Sequence, residues 1–122
     1  MKRRLPLLLL ILLQAIPLPL PAPCFGSDSE RGRVLFAEPG LGGSNNGKSC
    51  LTCHEGGRDL SSETMTRVEY MVMGNPMKSL TEVINFCIEV TLRGEALNEK
   101  SDEMADLRAY LHRFIMEQNH GR

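Results

Sequence analysis

The stretch "NGKSCLTCHEGG", Asn46 to Gly57, sets Cys50, Cys53 and His54 within five residues, inside a run of glycine and small polar side chains. Such a grouping suits a redox dithiol, half of a metal knuckle, or an attachment point for a larger prosthetic group. The rest of the chain separates these readings.

Upstream, "MKRRLPLLLLILLQAIPLPLPAPCFGSDSE" opens with Lys2, Arg3 and Arg4, continues through an apolar run from Leu5 to Leu20, and ends in small and polar residues. This is the layout of a secretory signal peptide over residues 1–26, with cleavage expected near Gly26 and with Ala22 and Cys24 as alternatives. The run falls short of the roughly 20 residues that a spanning helix needs, and Pro6, Pro17 and Pro19 interrupt it, so no retained membrane span is expected. Removing 26 of the 122 residues leaves 96, the size of one small domain over residues 27–122. The removed segment carries three of the 14 basic residues and none of the 15 acidic ones, so the balance of the remainder, 11 against 15, is −4. A mildly acidic domain gives no electrostatic reason to bind nucleic acid or an anionic membrane. Export to the periplasm or the medium also places Cys50, Cys53 and Cys87 in an oxidising compartment, where a reducing dithiol is out of place and three thiols cannot all pair.

The remaining sequence reads as helical, with no strand alternation. A first helix is expected over Ser27–Glu38, capped by Ser27, Asp28 or Ser29 and stopped by Pro39. A short helix follows over Glu63–Met73, closed by "GNP". Over Thr81–Arg93 the apolar positions Val83, Ile84, Cys87, Ile88, Val90 and Leu92 cover one side, with Gly94 as the expected C-terminal cap. The last helix starts at Ser101 and carries Met104, Leu107, Tyr110, Leu111, Phe114 and Ile115 at helical spacing. Leu35 or Phe36 of the first helix is expected against Tyr110 and Phe114. With no Trp, four Phe and two Tyr, the chain has few bulky side chains to fill a core.

Cys-X-X-Cys-His answers both problems. On one helical turn the two thiols can reach the two vinyl groups of a haem as thioethers, while the adjacent imidazole turns to the iron as proximal ligand. Attachment consumes two thiols, and the flat macrocycle fills the centre. Zinc would need four ligands, and only Cys87 and the distant His112 or His120 could supplement the motif. His112 falls on the exposed side of the last helix and His120 in a fraying tail.

At this point "GRVLFAEPGLGGSNNGKSCLTCHEGG" and "SDEMADLRAYLHRF" together resemble the c-type cytochrome family over essentially the whole domain. The resemblance implies a small all-α fold around one haem c, held by Cys50, Cys53 and His54, and electron transfer with redox partner proteins. Small members usually take a Met sixth ligand from the loop before the last helix, but "LRGEALNEKS" contains none. Met71, Met73 and Met77 flank "GNP" as alternatives. The segment "INFCIEVTLRGEALNEKSDEMADLRAYL" is similar to the Cys-containing haem segment of thiosulfate dehydrogenases and of the haem subunit of the Sox sulfur-oxidising system. That similarity implies Cys87 as the ligand opposite His54, although no second haem motif is present. The expected role is therefore a periplasmic electron carrier or haem subunit of an oxidoreductase, rather than an independent enzyme. The alternatives are oxidation of sulfur compounds such as thiosulfate, with Arg93 available to attract an anion, and gas binding at an open sixth position.

Overall fold

A computed structural model describes residues 27–120; the expected signal peptide, its expected cleavage site and Cys24 lie outside the described residues. The described chain is mostly helical. Helices α1 (Ser29–Ala37), α2 (Cys50–Cys53), α3 (Ser62–Thr66), α4 (Leu80–Phe86) and α5 (Asp102–His120) follow in order. A two-stranded hairpin, β1 (Tyr70–Val72) and β2 (Asn75–Met77), separates α3 from α4, and a π-helical turn, Cys87–Leu92, continues α4.

Helix α1 starts where Asp28 caps it: Oδ1 of Asp28 accepts the N–H groups of Glu30 at 2.9 Å and Arg31 at 3.2 Å. It lies across α5 with Gly32 at the crossing, where a Cβ would collide with the Asp106 carbonyl and with Cβ of Tyr110. Only a residue without a side chain lets the two backbones approach this closely. Beside the crossing, Asp106 is buried and accepts from Arg31 Nε at 2.9 Å and from the Asp28 N–H. The Arg31 guanidinium holds the Asp106 carboxyl below the usual carboxylate range; burial opposes this and the Asp28 N–H assists it. The expected aromatic contact forms through Phe36, whose ring centroid lies 5.3 Å from that of Tyr110, itself 5.6 Å from that of Phe114. Phe36, Leu41, Ile84, Ile88, Leu92, Met104, Leu107 and Leu111 make one continuous core from α1, α4, the π-turn and α5.

Two sequence expectations fail between α2 and α5. The first is the helix over Glu63–Met73, and with it the absence of strands. Helix α3 ends at Thr66, and Arg67 turns to extended backbone. Tyr70 then pairs with Met77 and Val72 with Asn75 around a two-residue turn, Met73–Gly74. Both turn residues have positive φ, 49° and 80°, the arrangement of a type I′ turn whose twist matches that of a hairpin. The second concerns the helix over Thr81–Arg93. Its α-helical part stops at Phe86, the π-turn follows, and Arg93 rather than Gly94 takes the left-handed cap position, at φ 60°. Gly94 serves a different need: a Cβ there would strike the carbonyl oxygens of Leu41 and Gly42. The last helix, in contrast, runs from Asp102 through His120, so His120 lies in its final turn.

Candidate haem-attachment site

Helix α2 is a single turn, enough to put Cys50 and Cys53 on neighbouring ridges and His54 at its end. Its start is fixed by Ser49, whose N–H donates to Thr52 Oγ1 at 3.0 Å. Cys50 is partly buried against the core cluster, while Cys53 is exposed. Burial pushes the Cys50 thiol up to about 11, with the nearby sulfurs of Cys87 and Cys53 adding to the effect. The Cys87 thiol is raised as well, first by its own burial and then by Cys53. All three thiols are free, and Cys87 is 34 positions along the chain from Cys53.

The His54 ring is oriented by the turn that follows it. Nδ1 lies 2.8 Å from the Arg58 carbonyl oxygen. A carbonyl only accepts, so Nδ1 carries the proton and donates, which leaves the lone pair on Nε2 available to a metal. The turn is held close by Gly56 and Gly57, both at positive φ. A Cβ on Gly57 would collide with Gln118 and crowd Phe114, so this turn is seated directly on α5. The imidazole is also near Phe36, with ring centroids 6.4 Å apart.

The remaining proposed ligands separate clearly. Met71, on the outer face of the hairpin, and Met73, in its turn, are 68% and 70% exposed, whereas Met77 is 6% exposed on the inner face. Met65, which sequence reading passed over, is partly buried against the core cluster. His112 is exposed, and His120 Nδ1 donates to the Met116 carbonyl at 2.8 Å. Arg93 is exposed and lines an open depression of about 600 Å³ with Gly42, Asn98 and Ser101, a lining that includes none of the three cysteines.

Among the described residues, no group of three or more His, Cys, Asp or Glu side chains is arranged to hold a bare metal ion. A haem iron asks less of the protein, since the porphyrin supplies four ligands and the chain only the axial ones. The donor set suits that group: two thiols on one turn, an imidazole with a fixed tautomer beside them, and a third thiol from another element. No described helix is long and apolar enough to cross a membrane. No family model, curated protein or solved structure matches this chain.

Proposed function

We propose that this chain is a periplasmic electron-transfer protein carrying one covalently attached haem c, acting as a soluble carrier or as the haem subunit of an oxidoreductase. The observation that supports it best is the pairing of Cys50 and Cys53 on one turn with a neighbouring imidazole whose Nδ1 is held at 2.8 Å by a backbone carbonyl. Cys50 and Cys53 would form the thioethers, and His54 Nε2 and Cys87 would be the ligands to the iron. Bound there, the haem would supply reversible one-electron chemistry at its iron. The protein's part is to fix the imidazole through Arg58, to keep water from the Cys50 side through the core, and to offer the Cys87 thiol, whose proton would leave on binding iron. A thiolate stabilises the ferric state and lowers the reduction potential.

Export of the full chain into the periplasm of a host with haem-attachment machinery tests the reading. The processed protein should be red and heavier by one haem, and Cys50→Ala with Cys53→Ala should abolish attachment. A colourless product with the mass of the polypeptide alone would overturn it. Comparison of ferric spectra for wild type and Cys87→Ala tests the axial assignment separately, with identical spectra rejecting Cys87.

The free, partly buried thiol of Cys87 also favours a second reading, in which the haem protein takes part in oxidising sulfur compounds. Direct reduction of the purified protein by thiosulfate or sulfite would support that reading over a plain carrier.

A further inference from the structure

Asn46 and Gly47 form the one Asn–Gly pair in the sequence. An asparagine can modify itself when the backbone nitrogen of the next residue attacks its side-chain carbonyl carbon, and a following glycine hinders that attack least. Gly47 is open: it sits at φ 72°, and a Cβ built on it would meet nothing within 4 Å. The Asn46 amide is held. Its Nδ2 donates to the Thr91 carbonyl at 3.0 Å, and its Oδ1 accepts the Lys48 N–H at 3.0 Å. A carbonyl only accepts and an N–H only donates, so the two ends of the amide are assigned by their partners. The Ser44 hydroxyl, 3.2 Å from Oδ1, donates to the Leu92 carbonyl, and the Glu95 N–H donates to the Gly42 carbonyl at 2.6 Å. The loop ahead of Cys50 is thus joined to residues 91–95 along one seam, in which Asn46 supplies the tie to Thr91.

We infer that Asn46 is a site of self-modification by deamidation, guarded while the seam to residues 91–95 is closed and released when it opens. In the reaction the Gly47 nitrogen gives up its proton and bonds to Cγ of Asn46; the Cγ–Nδ2 bond breaks, and Nδ2 departs with that proton as ammonia. Water then opens the resulting cyclic imide at either of its carbonyls, leaving aspartate or isoaspartate. The only co-reactant is water. The attack needs Cγ to swing over the Gly47 nitrogen, and an amide tied at one end to Thr91 and at the other to Lys48 cannot swing while both bonds hold. Misplacing reacting atoms by about 1 Å can cost on the order of 100-fold in rate. The product does not restore the guard. A carboxylate has no donor for the Thr91 carbonyl and sets oxygen against oxygen there, and isoaspartate also lengthens the main chain. One opening of the seam therefore becomes permanent. Two other asparagines lack this combination. Asn75 precedes Pro76, whose nitrogen has no proton to lose, and Asn85, tied at both ends to Leu97 at 2.9 Å, precedes the bulky Phe86.

The test reads conversion at the Asn46-containing peptide by mass spectrometry, after the exported full chain has stood in mildly alkaline buffer, either folded or in urea. Conversion at Asn46 should be slower by about tenfold or more in the folded chain, a ratio set by how rarely the seam opens. Ser44→Ala removes one tie without touching the Asn–Gly pair and should raise the folded rate by about fivefold, the worth of one hydrogen bond. Asn75 and Asn85 should stay unconverted over the same period. Asn46→Asp is the direct product, and in it hydrogen exchange at the Glu95 N–H, further along the seam, should quicken by about tenfold. Equal rates folded and in urea would overturn the guard, and no conversion in urea would overturn the site. A folded Ser44→Ala chain that converts at the wild-type rate would take the guard away from the seam and overturn the inference as well. If Ser44→Ala does not fold, exchange at Glu95 in Asn46→Asp decides, with an unchanged rate rejecting the permanent opening. The chemistry needs no haem, so these outcomes hold whether or not the exported chain is loaded, and its mass tests the haem reading separately.

Discussion

The seam between α1 and α5 and the flank formed by the hairpin are built on opposite principles. Along the seam the helices meet backbone to backbone at Gly32, with Asp106, Leu107 and Leu111 buried beside them. The hairpin buries only Tyr70 and Met77 and leaves Met71 and Met73 at 68% and 70% exposure. The first region is specified by steric fit and tolerates almost no change. The second is held by its turn, by two anchoring side chains and by the Tyr70 hydroxyl, which donates to the Thr64 carbonyl at 2.7 Å, and its outer face is free to vary.

The sharpest way to break this contrast is Gly32→Val. The new side chain has nowhere to go against the Asp106 carbonyl, and a loss of about 3 kcal/mol in urea unfolding of the purified full chain is expected. A loss within 0.5 kcal/mol, roughly the range of an ordinary surface change, would show that the helices are not in close approach. On the hairpin side, Met77→Ala removes one of its two anchors and should cost about 2 kcal/mol by the same measurement.

Asp106 sharpens the comparison through pH. Its carboxyl is held low in the folded protein, so its contribution to stability is complete above the unfolded value of about 4 and is lost as pH falls from there through the lowered folded value. Asp106→Asn should therefore flatten the stability profile over that acidic window while lowering stability at neutral pH by about 1 kcal/mol. An unchanged acid limb would assign that limb to other carboxylates.

The smallest effects belong to the outer face of the hairpin. Met71→Ala should change stability by less than about 0.5 kcal/mol, since its side chain is already in water. Met73→Asn should raise stability by less than about 1 kcal/mol, because asparagine accepts the left-handed turn position more readily than methionine does. A large loss from either would mean that the outer face is covered by something and that the contrast between the two regions is false.

The same contrast separates what the sequence disclosed from what it concealed. Helices α1 and α5 were readable because each presents a cap and a 3.6-residue apolar rhythm, and their aromatic contact followed from the few large rings available. The turn that carries Cys50, Cys53 and His54 was readable because the grouping is local to five residues. The hairpin was not: three-residue strands show too little alternation to register, and Met-Gly lacks the Asn-Gly or Asp-Gly signature of a type I′ turn. The π-turn was equally hidden, since "CIEVTL" continues the apolar side of α4 and nothing in it announces an added residue per turn. Asn46 and Ser44 looked like ordinary loop residues because their partners lie 45 and 48 positions away. Gly94 suggested a cap by residue type, yet its role is to clear space for the Leu41–Gly42 backbone. Local patterns revealed the elements, and the pairings between distant carbonyls and side chains required coordinates.

The turn at Gly57, pressed beneath Gln118 and Phe114, ties the segment after His54 to an element more than fifty positions away. The backbone that orients the His54 ring through the Arg58 carbonyl therefore gains its seat only once α5 has docked. Loosening the last two turns of α5 would release this segment while leaving the crossing at Gly32 in place.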